Sequence, residues 1–162
     1  MNCSANEVMM LAAKAARGAG APPAQAARFG VAAAAHLMAG RDDGVLGRAL
    51  AALPKGAIIE LPLAINCIEE RAEQGRACGA LHGFERSLVQ SYVSTLPYTA
   101  ALNDDDILRI DLTKPAQRTP VQRIDLCDEI YLGWAALAAR ILVPESAASR
   151  QSGAGAGLSD ND

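Results

Sequence analysis

The residues best suited to chemistry lie between Cys78 and Glu85. His82 follows Cys78 by four positions and precedes Glu85 by three, with Gly79 and Gly83 around it. A cysteine is nucleophilic as its thiolate, and a nearby histidine can take the proton. Cys78, His82 and Glu85 are therefore the candidate catalytic residues. The signal is thin. The cysteine and histidine sit close together in a glycine-flanked stretch, no family-type signature surrounds the cysteine, and no third group is marked as the one that orients the base.

The same histidine could ligate a metal with Cys67, Cys78 and Cys127. Structural zinc sites usually pair ligands two to four residues apart, and only Cys78 and His82 approach that spacing. The plainer reading makes the four cysteines, Cys3 included, small buried hydrophobes. They would be free thiols in a reducing compartment. His36 lies among alanines near Phe29 and reads as a satisfied core or boundary side chain. Asp104 to Asp106 lacks the glycine and the later glutamate of a calcium loop. Gly153 to Gly157 is followed by Leu158 and not by Lys-Ser/Thr, so it is no phosphate loop. No cofactor and no metal are expected.

The elements that would position these residues are helical at first. Ser4 and Glu7 have capping-box spacing, and Val8, Leu11, Ala12 and Ala15 follow as one apolar stripe. Gly18 and Gly20 end that helix. Pro22 and Pro23 suit the start of a second, where a missing N–H costs nothing. Its face carries Ala26, Phe29, Gly30, Ala33 and Leu37, and Gly40 closes it. Small residues on that face allow the two helix backbones to approach closely. Asp42 or Asp43 caps a short helix through Val45, Leu46, Ala49, Leu50 and Leu53.

Beyond it the pattern predicts a short strand over 57–61, a helix beginning at Pro62, and a loop from Gly75 to Gly83. Leu88 to Thr95, rich in β-formers, predicts a strand. Arg109-Ile110-Asp111-Leu112 returns as Arg123-Ile124-Asp125-Leu126, and both alternate polar with apolar. This predicts an antiparallel hairpin with Ile110, Leu112, Ile124 and Leu126 inward. A last helix starts at Asp128 or Glu129 and carries Ile130, Trp134, Leu137, Ala138 and Ile141.

The whole is an expected α+β fold: a helical N-terminal half, a small, mostly antiparallel sheet, and a C-terminal covering helix. One globular domain over 1–145 is followed by a Gly/Ser/Asp-rich tail over 146–162. The tail's small residues could thread a narrow place, with Leu158 as anchor and Asp160 and Asp162 meeting donors or a cation. These three are the candidate partner-binding residues.

The totals narrow the function. With 162 residues the chain can bury a real core. A net charge of −3 and 4% aromatic content argue against a nucleic-acid partner, which would require a basic patch or stacking rings. No apolar run has the length of a membrane span, and no secretory h-region opens the chain. The expected compartment is the cytoplasm.

Ser4, Asn6-Glu7, Leu11-Ala12 and Lys14 to Gly20 (Lys-Ala-Ala-Arg-Gly-Ala-Gly) resemble the opening of an uncharacterised bacterial family. Its members end, as this chain does, with a Ser-Arg pair and a Gly-Ala-Gly-Ala-Gly-Leu-x-Asp-Asn-Asp tail; here these are Ser149-Arg150 and Gly153 to Asp162. The resemblance implies a shared fold and brings no activity. The best reading of function is a non-catalytic accessory or interaction protein of bacterial metabolism, with a protein partner or self-association. The alternative is a small enzyme or ligand-binding protein with its site near His82. A deep polar pocket around His82 would favour the alternative; an exposed apolar surface would favour the first.

Overall fold

A computed structural model describes residues 1–117 and 123–141. Strand β1 (Asn2–Cys3) leads into α1 (Ala5–Gly18). The capping box forms: the Ser4 hydroxyl accepts from the Glu7 N–H at 3.2 Å, and Ser4 N–H donates to the Glu7 carboxylate at 2.7 Å. The Ser4 backbone and then its hydroxyl hold the Glu7 carboxyl below its usual range. Gly20 has φ +105°, a left-handed turn residue that only glycine adopts readily. Helix α2 (Pro23–Met38) then folds back, with Pro23 in its first turn.

Gly30 sits where the two helices touch. A β-carbon there would collide with the Met9 carbonyl oxygen and lie 2.9 Å from the Ala13 methyl group. Ala12, Ala15, Ala16, Ala26, Phe29, Ala32 and Ala33 are at most 1% exposed around this contact. The expected close helical pair is thus present, and it forms the centre of one continuous buried cluster.

Helix α3 (Gly44–Ala51) follows, and then α4 (Ala57–Glu69). The expected strand over 57–61 is instead the first turns of α4, with Pro62 inside the helix and not at its start. The reason is the buried stripe of Ile58, Leu61, Ile65 and Ile68, which crosses the proline at helical spacing. The burial along this stripe outweighs the lost hydrogen bond at Pro62.

The expected loop from Gly75 to Gly83 contains strand β2 (Arg76–Ala80). Its Gly79 is required by contact, since a β-carbon would come within 2.6 Å of the Ile68 side chain. The expected strand over Leu88 to Thr95 is helix α5 (Arg86–Val93). Leu88, Val89, Tyr92 and Val93 are all buried, a spacing of one and four that only a helix places on one side. Packing against α2 overrides the β-propensity of the residue types.

Strands β3 (Tyr98–Leu102) and β4 (Ile107–Pro115) complete a sheet of order β2-β4-β3, antiparallel throughout. Strand β5 (Ile124–Asp125) pairs with β1 in a separate two-stranded ribbon. The expected hairpin between the two Arg-Ile-Asp-Leu segments is therefore absent. Ile110 pairs with Ala77 and Ala100, while Ile124 pairs with Cys3. Ile110, Ile124 and Leu126 are buried as expected, but Leu112 is 41% exposed. A repeated alternation encodes which side chains face inward and carries no information on the partner strand.

Helix α6 (Asp128–Ala139) closes the described chain. It lies against the end of α1 so closely that a β-carbon at Gly18 would strike the Leu137 carbonyl oxygen. The architecture is the expected α+β arrangement.

Candidate functional site

The sequence-derived site does not assemble. His82 is exposed just beyond β2, and Cys78 is exposed on that strand and not in a loop. Glu85 is engaged elsewhere: Arg48 Nη2 donates to both of its carboxylate oxygens at 3.3 Å. None of the three lines either of the two cavities described below. The four cysteines are free, and only Cys3 is buried; Cys67, Cys78 and Cys127 are exposed, against the reading of all four as buried hydrophobes. Among the described residues no group of three or more His, Cys, Asp or Glu side chains could hold a metal ion. Leu158, Asp160 and Asp162 lie outside the described residues.

His36 is fully buried and satisfied, as expected. Its Nδ1 shares a 2.8 Å hydrogen bond with Ser91 Oγ, and its Nε2 donates to the Asp42 carbonyl oxygen at 2.8 Å. Arg41 donates to the same Ser91 oxygen at 3.2 Å. This network ties α2 to α5 and to the segment entering α3. Every polar atom of the imidazole is occupied by the fold itself, so the residue is structural.

Two places remain. The first is a groove of about 730 Å³ between α3 and α6. Leu50, Leu53, Ile130, Trp134 and Leu137 supply apolar walls, and Asp43, Glu129 and Arg140 supply the charges. Gly47 and Gly133 line it as well, and a β-carbon at either would meet nothing within 4 Å. Unlike Gly18 and Gly30, these two helix glycines are not required by internal packing.

Helix α6 itself is unusual. From Ile130 to Ala139 it has no charged residue, yet Trp134 is its only fully buried side chain. A helix on a protein surface normally turns a polar face to solvent. Here Leu132, Gly133, Ala136 and Ala139 are exposed instead, with Leu132 at 64%. The expected covering stripe of Ile130, Trp134, Leu137, Ala138 and Ile141 holds fully only at Trp134; Ile141 is 39% exposed.

The second place is a cavity of about 230 Å³ where α2, α4, α5 and β3 converge. Arg28 of α2 is anchored by Nη1, which donates to Asn66 Oδ1 at 2.8 Å and to the Pro62 carbonyl at 3.4 Å. The Tyr98 hydroxyl donates to the Glu69 carboxylate. Tyr92 is buried, and among the described residues its hydroxyl and Ser87 Oγ are buried side-chain polar atoms without a hydrogen-bond partner. Both phenols are pushed well above their usual range. Burial is the chief cause for each; at Tyr98 the hydrogen bond to Glu69 adds to it, and at Tyr92 the Arg28 charge opposes it. Both therefore remain protonated donors.

Reading the sequence missed this second place. Tyr92 lies in the segment whose β-formers predict a strand, and Glu69 lies in the predicted helix that begins at Pro62. Arg28 and Tyr98 had no feature that linked them to either residue.

No family model, no curated protein and no solved structure matches the chain. Among the described residues, no helix is long and apolar enough to cross a membrane.

Proposed function

We propose that this is a non-catalytic interaction protein whose contact surface is the exposed face of α6 with the adjoining groove, and whose first partner is a second copy of the chain. The observation that carries this reading is the uncharged, largely unburied run from Ile130 to Ala139. Exposed apolar surface of this kind marks interaction sites.

The distribution of charge favours a second copy. Glu129, Gly133, Ala136 and Arg140 follow one another at helical spacing and are all exposed. If two α6 helices cross antiparallel about a two-fold axis at Trp134–Ala135, Glu129 of one faces Arg140 of the other. Gly133 then faces Ala136, so the backbones can approach closely at the centre. Glu129 and Arg140 are about 16 Å apart along the helix at 1.5 Å per residue. One acid and one base, equidistant from the midpoint, make the surface self-complementary, which a two-fold interface requires.

Sedimentation equilibrium of the full chain tests this. The expected species is a dimer that Gly133→Glu converts to a folded monomer with unchanged circular dichroism. Arg140→Glu should weaken the dimer, and adding Glu129→Arg should restore it. A monomeric wild-type chain at every concentration, or a dimer untouched by Gly133→Glu, overturns the reading.

A further inference from the structure

Three elements meet at one end of the groove between α3 and α6. The Leu137 carbonyl oxygen of α6 lies against Gly18 at the end of α1, and a β-carbon at Gly20 would lie 3.9 Å from Pro54, just past α3. Ala19, Leu53, Leu137 and Arg140 line the groove at this corner. Ala19, Leu53 and Leu137 are only half-buried, and Ile141, the last described residue, is 39% exposed. Among the described residues an apolar corner is thus left open at the point from which the chain continues.

Leu142, Val143 and Pro144 come next in the sequence. They extend Ile141 into an apolar run, and from Glu145 to Gly157 no apolar residue is larger than alanine. Pro144 disfavours helical backbone at Val143, which works against a straight continuation of α6. We infer that the groove is a docking site for the chain's own segment beyond α6: Leu142 and Val143 fold back onto Ala19, Leu53 and Leu137 of the same molecule. The driving force is the removal of two aliphatic side chains, and of the corner they cover, from water. Tethering decides the occupant. Residues fixed one and two positions beyond the rim reach it at an effective concentration on the order of millimolar. They also escape the loss of translational and rotational freedom that a separate partner bears.

The inference goes beyond the α6 dimer and does not rest on it. Leu132 and Ala136 are exposed and line no part of the groove. The exposed face of α6 therefore stays open to a second copy while the corner is closed from within. Of the corner residues only Arg140 belongs to the proposed dimer surface.

Amide NMR and thermal melting of the full chain test it, with Leu142→Ser and Val143→Ser combined in one variant. Docking predicts that the variant shifts the resonances of Ala19 and Leu53, which are distant from it in sequence, and leaves β2, β3 and β4 unshifted. The melting temperature should fall by about 4 °C or more, as for the loss of buried aliphatic contacts in a chain of this size. Dilution separates this contact from self-association: the shifts should persist at concentrations where sedimentation shows a monomer. Leu158→Ser is the comparison variant, since Leu158 is the next large apolar residue along the chain. It should leave Ala19 and Leu53 unshifted. A double variant that melts as the wild type does overturns the inference. So do corner resonances that stay in place, that move only in the dimer, or that move with Leu158→Ser and not with the double variant. A wild-type chain that is monomeric at every concentration would overturn the dimer and leave this contact standing.

Discussion

The contact between α1 and α2 and the groove between α3 and α6 both rest on glycines inside helices, and these glycines have opposite meanings. At Gly30 the space for a side chain is taken by the Met9 carbonyl and the Ala13 methyl group. At Gly18 it is taken by the Leu137 carbonyl. At Gly47 and Gly133 it is empty. A glycine in a helix costs about 1 kcal/mol relative to alanine through backbone entropy. Where two backbones touch, that cost is offset by the close approach of large, well-packed faces. In the groove nothing among the described residues offsets it. A glycine at a tight helical contact is thus explained by the fold, whereas the open glycines of the groove are explained by no contact among the described residues.

The comparison can be broken most sharply at its packed end. Gly30→Ala should destabilise the protein by about 1–3 kcal/mol or more, because the clash is with backbone that cannot rotate away. Urea unfolding measures it, and a loss below half a kcal/mol would mean that α1 and α2 separate more easily than their contact implies. At the open end the sign reverses. Gly47→Ala should raise stability, by up to about 1 kcal/mol, since the methyl group enters empty space and the helix gains propensity. A destabilised Gly47→Ala variant would show that the groove is filled in the isolated chain. The smallest effect is expected at His82, which is exposed and makes no hydrogen bond in the described fold. His82→Ala should change the melting curve by no more than about 0.5 kcal/mol. A larger loss would return that histidine to a structural or metal-binding role.

How far the sequence could be read depended on whether a feature is local. The capping box at Ser4 and Glu7, the turn at Gly20 and the proline start of α2 were legible because each is complete within a few residues. The small-residue face of α2 was legible because a helix repeats its faces regularly. His36 was legible as a core residue, although its partners Ser91 and Asp42 were not.

The misreadings have a common physical origin. Val, Ile, Tyr and Thr favour strands only weakly, and α4 and α5 contain enough of them to suggest strands in isolation. What made them helices was the burial of one face, at Ile58, Leu61 and Ile65 in α4 and at Leu88, Val89 and Tyr92 in α5. Gly79 lies in a strand because Ile68 of α4 presses against it. The two Arg-Ile-Asp-Leu segments had the correct side turned inward at three of the four apolar positions considered, but they joined different sheets.

The division at the functional level is the same. The sequence by itself determined the α+β class, the close N-terminal helical pair and the charge-free run of the last helix, because propensity, caps and periodicity act over short distances. Only the tertiary structure decided that most of that run remains exposed, that His82, Cys78 and Glu85 form no site, and that Arg28, Glu69, Tyr92 and Tyr98 share one cavity. Those four residues come from four elements spread over 71 positions, from 28 to 98. No local rule links them; they meet because burial of apolar faces brings α2, α4, α5 and β3 together.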